Sequence, residues 1–186
     1  AILTDKSGNT TTATQSTSSI TFDETVPTIT AIATTAFSWG ESLNSTEDDT
    51  DATVTVTTTG VEDGETVTIT LNGTVYTALT SSNSATVTIT AAGLQGLIDD
   101  QTYSLTADVK DVATNEAVTV TSTTFTVDKT LPTIAITATN GTNNVADGSS
   151  SNAILTLTFT SSEATIDFVA EDVTVSGGTL SNFTAV

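Results

Sequence analysis

Apolar and polar positions alternate along much of this chain. Ala52, Val54 and Val56 are separated by Thr53, Thr55 and Thr57, the period-two pattern of a strand with one buried and one wet face. The same alternation puts Val67, Ile69 and Leu71 on one face of a strand over Thr66–Leu71. Asn72-Gly73 follows, and between alternating runs it predicts a two-residue type I′ hairpin into Thr74–Leu79. Further strands are predicted over 28–33, 85–90, 102–109 and 117–127, with Tyr103, Leu105, Ala107 and Val109 in phase. In the last of these the apolar phase switches between Val120 and Phe125, which predicts a bulge or bend. A polar loop is expected over 38–51, a short helical turn over 91–97, and turns at 60–64, 81–83, 99–100 and 111–115. Seven short strands with no long helix predict an all-β fold, an immunoglobulin-like β-sandwich. Tyr103, just past the Asp99-Asp100 turn, suits either a tyrosine corner or an ordinary core tyrosine, and Trp39 in the long loop suits a plug at one end of the core.

A second pattern sets the domain organisation. Asp23-Glu24-Thr25-Val26-Pro27-Thr28-Ile29 returns 105 residues later as Asp128-Lys129-Thr130-Leu131-Pro132-Thr133-Ile134. Proline donates nothing to a ladder and holds the residue before it extended, so both copies read as stiff strand-to-strand joints. A period of one domain length marks a tandem array. Residues 1–24 read as the C-terminal end of a preceding module, with a long strand over 10–22. Residues 25–131 read as one complete module, and 132–186 as the N-terminal part of the next, with strands over 153–160 and 171–175 and a turn at Gly177-Gly178. The expected whole is a window on a longer chain.

Composition narrows the chemistry. The 186 residues include 48 threonines, which are β-branched and suit the wet face of a sheet. Cysteine, methionine, histidine and arginine are absent, which excludes disulfides, thiolates and imidazole from this stretch. Twenty-two acidic residues against three lysines (Lys6, Lys110, Lys129) give a formal charge of −19. Such a surface repels nucleic acid and anionic lipid and attracts cations. No apolar run has the length of a membrane span, so direct membrane insertion is not expected.

The joint, preceded by a turn of the Asp-x-Ala-Gly-Asn kind, resembles the bacterial Ig-like tandem repeats of giant secreted adhesins and biofilm-associated surface proteins. Asp5-Lys6-Ser7-Gly8-Asn9 matches that turn closely, and Asp111-Val112-Ala113-Thr114-Asn115 keeps its ends but has Thr114 where glycine is usual. Ser161-Ser162-Glu163-Ala164 with 168–173 resembles a second repeat type from the same proteins. The resemblance implies an extracellular stalk, secreted or attached to the cell surface, whose joints are stiffened by calcium while other domains bind surfaces.

Sandwich topology brings particular loops to each joint. At the first, Asp23 and Glu24 are expected to meet Glu62, Asp63, Asp111 and Asn115. At the second, Asp128 is expected to meet Asp48, Asp49, Asp51, Asp99 and Asp100, with Glu163 arriving from the next module. Carboxylates gathered without a lysine nearby are costly unless a cation sits among them, and calcium takes about 6–8 oxygen ligands. Solvated loop carboxylates that never converge are the plainer alternative. No linear calcium loop is present, since Glu47-Asp48-Asp49-Thr50-Asp51 lacks EF-hand spacing.

The expected function is therefore a non-catalytic structural extender whose partners are neighbouring modules of the same chain. Paired carboxylates at 48–49 or 99–100 are the sole basis for an enzyme, and adjacent residues usually point apart. A carbohydrate- or protein-binding module would show an exposed aromatic cluster, whereas here two Tyr and one Trp are scattered. A self-assembling extracellular or virion-surface filament is a further alternative and would need lateral self-association.

Overall fold

Threonine-valine alternation of this density can be stable only where the valine faces meet one another, and the fold is built on that meeting. The computed structural model describes residues 1–15 and 17–184. The chain divides into two compact units, Ala1–Lys129 and Thr130–Val186.

The first unit opens with a hairpin of β1 (Ile2–Thr4) and β2 (Thr10–Thr12), which pair antiparallel with each other. Of the long strand expected over 10–22, the described residues form a strand over Thr10–Thr12, and residue 16 lies outside the described residues. A strand persists only as far as a neighbour pairs with it, and β1 is three residues long. Ile20 and Phe22 are almost fully exposed.

The sandwich follows. β3 (Thr28–Ile29) pairs with β5 (Ala52–Thr59), and β5 pairs in full register with β8 (Ser84–Ile89), forming one layer. The expected first strand over 28–33 is shorter than predicted. Before β5 comes β4 (Ser42–Asn44), a strand inside the expected loop. The opposite layer is β6 (Thr66–Leu71) between β7 (Thr74–Leu79) and β10 (Leu105–Asp108), with β11 (Val120–Thr121) at its edge. Between β8 and β10 lie helix α1 (Ala91–Gln95) and β9 (Thr102–Tyr103). β12 (Phe125–Asp128) pairs antiparallel with β9 and parallel with β4.

The alternation decides the core. Val54 and Val56 from β5, Val87 and Ile89 from β8, Val67 and Ile69 from β6, and Leu105 and Ala107 from β10 are all at or near zero exposure. The predicted bend after Val120 is the gap between β11 and β12. There Ser122 is buried, its hydroxyl accepts from the Leu105 N–H (3.1 Å) and donates to the Thr123 carbonyl (2.7 Å). Trp39 closes one end, stacked on Phe37 (5.0 Å) and edge-on to Phe125 (5.3 Å). The hairpin at Asn72-Gly73 has φ of 47° and 79°, the positive pair a type I′ turn requires.

Among the described residues of the second unit, β13 (Ile134–Thr139) pairs antiparallel with β14 (Thr156–Ser161). Phe159, Phe168 and Phe183 cluster beside it at 5.3 and 5.6 Å. The strand expected over 171–175 is instead a 3-10 turn at Ala170–Asp172, closed by the Asp172 carboxylate accepting from the Val169 N–H. That local bond offers the backbone an alternative to a ladder.

Candidate metal sites at the two poles

At the pole where the sandwich begins, the turn Asp111–Asn115 is the organising piece. Asp111 is 2% exposed. One of its carboxylate oxygens accepts from the Asn115 main-chain N–H (2.8 Å) and the other from the Asn115 side-chain amide (2.8 Å). The same amide reaches the main-chain carbonyls of Asp23 (3.2 Å) and Thr25 (3.4 Å), so the turn grips the joint. Asp23 in turn accepts from the Thr25 N–H at 2.9 Å. Glu62 arrives from the loop after β5, and its carboxylate accepts from the Val112 N–H (3.1 Å).

These oxygens, two carboxylates and two main-chain carbonyls, match a hard cation in kind, while the Asn115 amide presents its NH2 group to three of them. Lys110, next to the turn, is paired with Glu116 at 2.6 Å. Asp63 does not join the group; it accepts from the Ser82 N–H (2.7 Å) in a neighbouring turn. Glu24 is exposed. Among the described residues, no three carboxylates gather closely enough to hold an ion as placed.

Asp5–Asn9 is a copy of this turn. Asp5 accepts from the Asn9 N–H and amide, both at 2.8 Å, and from the Ser7 N–H at 2.9 Å. The Asn9 side-chain bond, then its main-chain bond, hold the Asp5 carboxyl below the usual carboxylate range.

The opposite pole is arranged differently. The acidic run 47–51 closes over helix α1. Asp51 accepts from the Ala91 N–H (2.9 Å), and Thr90 caps the same end through Gly93. Asp49 accepts from the Gln95 amide (3.1 Å). Asp48 is buried and pairs with the Lys129 ammonium at 2.8 Å. Asp99 accepts from the main-chain N–H groups of Lys129 (2.6 Å) and Asp100 (3.1 Å). Asp100 has φ of 60° and turns the chain, while Asp128 is exposed. Glu163 lies in the second unit, where its N–H donates to the Ser161 hydroxyl (3.4 Å).

The expectation of carboxylates gathered without a lysine is corrected here: Lys129 stands among them. Its ammonium also donates to the carbonyls of Leu97 (3.0 Å), Gln95 (3.1 Å) and Leu94 (3.4 Å). Sequence reasoning passed over this residue, although the repeated joint carries the signal by placing Lys129 where the earlier copy has Glu24.

A comparison with protein-family models agrees with the repeat class over the C-terminal part of the chain. Residues 128–186 match the family model of the bacterial Ig-like domain. None of the curated proteins compared matches the chain. Among solved structures, a bacterial immunoglobulin-like domain from the M. primoryensis ice-binding adhesin is 27% identical; the match covers 55% of this chain and 96% of that one, with a TM-score of 0.38. A structure of a 1.5-MDa bacterial ice-binding adhesin, concerned with host cell surface retention, is 28% identical over 69% of this chain and 40% of its own, with a TM-score of 0.40. A Ca2+-stabilized adhesin with which an Antarctic bacterium binds ice is 26% identical over 75% of this chain and 33% of its own, with a TM-score of 0.45.

Proposed function

We propose, for a chain whose residues 128–186 carry the bacterial Ig-like signature, a role as a non-catalytic extender module in an extracellular bacterial adhesin or surface fibre. Its partners are then the neighbouring modules of the same chain. The observation that carries this reading is the grip of Asn115 on the carbonyls of Asp23 and Thr25. It ties the end of one loop to the joint that precedes the sandwich, which is what a stiff array needs at each junction.

Calcium is the natural reinforcement of that grip. Glu62, Asp111 and the carbonyls of Asp23 and Thr25 would hold it, with the Asn115 amide turned from donor to oxygen ligand. Calcium supplies charge neutralisation to these oxygens and takes its remaining ligands from water. Among the described residues no helix is long and apolar enough to cross a membrane.

Small-angle scattering of the full chain, with calcium and with chelator, tests the reading alongside calorimetry. With calcium the scattering profile should narrow to one joint angle. The stability should rise by about 2.7 kcal/mol at a hundred times the dissociation constant. Asp111→Ala should behave like chelation. Identical profiles and melting temperatures in all three conditions would rule out calcium at this pole.

A further inference from the structure

We infer that the Lys129 ammonium is the resident cation of the pole formed by 48, 94–97 and 99, and that it makes this pole independent of metal. The inference does not rest on calcium at the other pole. Four oxygens surround one nitrogen: an Asp48 carboxylate oxygen and the carbonyls of Leu94, Gln95 and Leu97, at 2.8 to 3.4 Å. The Asp48 side chain is 8% exposed and that of Lys129 is 20% exposed. An ammonium has three protons and no acceptor, so every contact it makes here is to an oxygen. Two of the carbonyls, those of Leu94 and Gln95, belong to the last turn of helix α1, where intrahelical partners run out, and the Leu94 carbonyl also accepts from the Leu97 N–H at 3.0 Å. The backbone N–H of the same lysine is held by Asp99 at 2.6 Å. One residue therefore ties the acidic run, the end of α1, the 99–100 turn and the end of β12 together.

The repeated joint makes the contrast sharp. Position 24 carries a carboxylate and position 129 an ammonium, in otherwise similar sequence. A pole with its own cation has no oxygen cage left to fill. Without the ammonium, Asp48 would be a buried charge with no counter-charge, a strongly destabilising arrangement.

The test uses the full chain as wild type, Lys129→Met, Lys129→Glu and Lys129→Arg, with thermal unfolding in chelator and calcium titration by calorimetry. In chelator, Lys129→Met and Lys129→Glu should melt roughly 10 °C or more below wild type, and Lys129→Arg should stay closer to it. Lys129→Glu should bind one calcium ion more per chain than wild type and recover stability on binding it. The extra ion is counted against wild type, so binding or its absence at the first pole cancels. A Lys129→Met protein as stable as wild type in chelator would overturn the inference. So would loss of stability with no additional ion in Lys129→Glu, because the lysine would then be a strap and no stand-in for a metal. A variant unfolded at every calcium concentration counts as that second result.

Discussion

Thr114 takes the backbone conformation in its turn that Gly8 takes in the matching one, with φ of 71° against 87°. In both turns the N–H of that residue donates to the carbonyl of the leading aspartate, Asp111 at 3.0 Å and Asp5 at 3.1 Å. A β-branched residue is strained at positive φ, and glycine is not. Thr114→Gly should therefore stabilise the first unit by about 1 kcal/mol, the strain of the left-handed region less glycine's greater unfolded-state entropy. Urea denaturation of both proteins checks it, and a lower midpoint for the glycine variant would show that the turn is not strained.

The Tyr103 hydroxyl accepts from the Ile98 N–H at 3.0 Å, across the 99–100 turn. This is the bond of a tyrosine corner, reaching back a few residues upstream. Tyr103→Phe keeps the ring against Phe125 and deletes only that acceptor. The cost should be about 1 kcal/mol, and amide exchange at Ile98 should quicken. Unchanged exchange there would mean that water replaces the hydroxyl without loss.

How much of this was legible depended on how local each cause was. The Asn72-Gly73 hairpin, the alternating strands over 52–57, 66–71, 74–79 and 85–90 and the bend after Val120 are written in neighbouring residues and are present, whereas the strand over 28–33 is shortened and that over 171–175 is a 3-10 turn. β4 escaped notice because Ser42-Leu43-Asn44 offers one apolar residue, and its partner β12 lies far along the chain and runs parallel. The acidic poles were half legible. Topology placed Asp111, Asn115 and Glu62 beside Asp23, but the single side-chain pairing of Lys129 with Asp48 is a tertiary fact that no spacing announces.

The Asp5 turn carries a pH signature. Its carboxyl titrates below the usual range because the Asn9 amide and N–H stabilise the charged form. A group with a depressed folded-state pKa adds stability that is present above its unfolded value and lost as pH falls through the folded one. The hairpin of β1 and β2 should therefore loosen only on acidification below the ordinary carboxylate range. Chemical shifts of the Asn9 side-chain amide should follow the same transition. Asp5→Asn should remove the pH dependence, and a midpoint at the ordinary aspartate value would contradict the assignment.

Asn115 is the residue on which the first joint turns. Its amide is shared among the buried Asp111 carboxylate and the Asp23 and Thr25 carbonyls. Asn115→Ala leaves all three oxygens short of a donor, which should cost about 1–3 kcal/mol and speed amide exchange across 23–25. Asn115→Asp is the sharper probe, because it sets a second carboxylate against Asp111 where like charges repel. In chelator it should be less stable than Asn115→Ala. With calcium it should recover more than wild type gains, since an added carboxylate strengthens an oxygen site for a hard cation. If the aspartate variant is destabilised equally with and without calcium, the joint is held by the amide alone. If it is no less stable than wild type in chelator, the grip on Asp23 and Thr25 does not hold the joint at all.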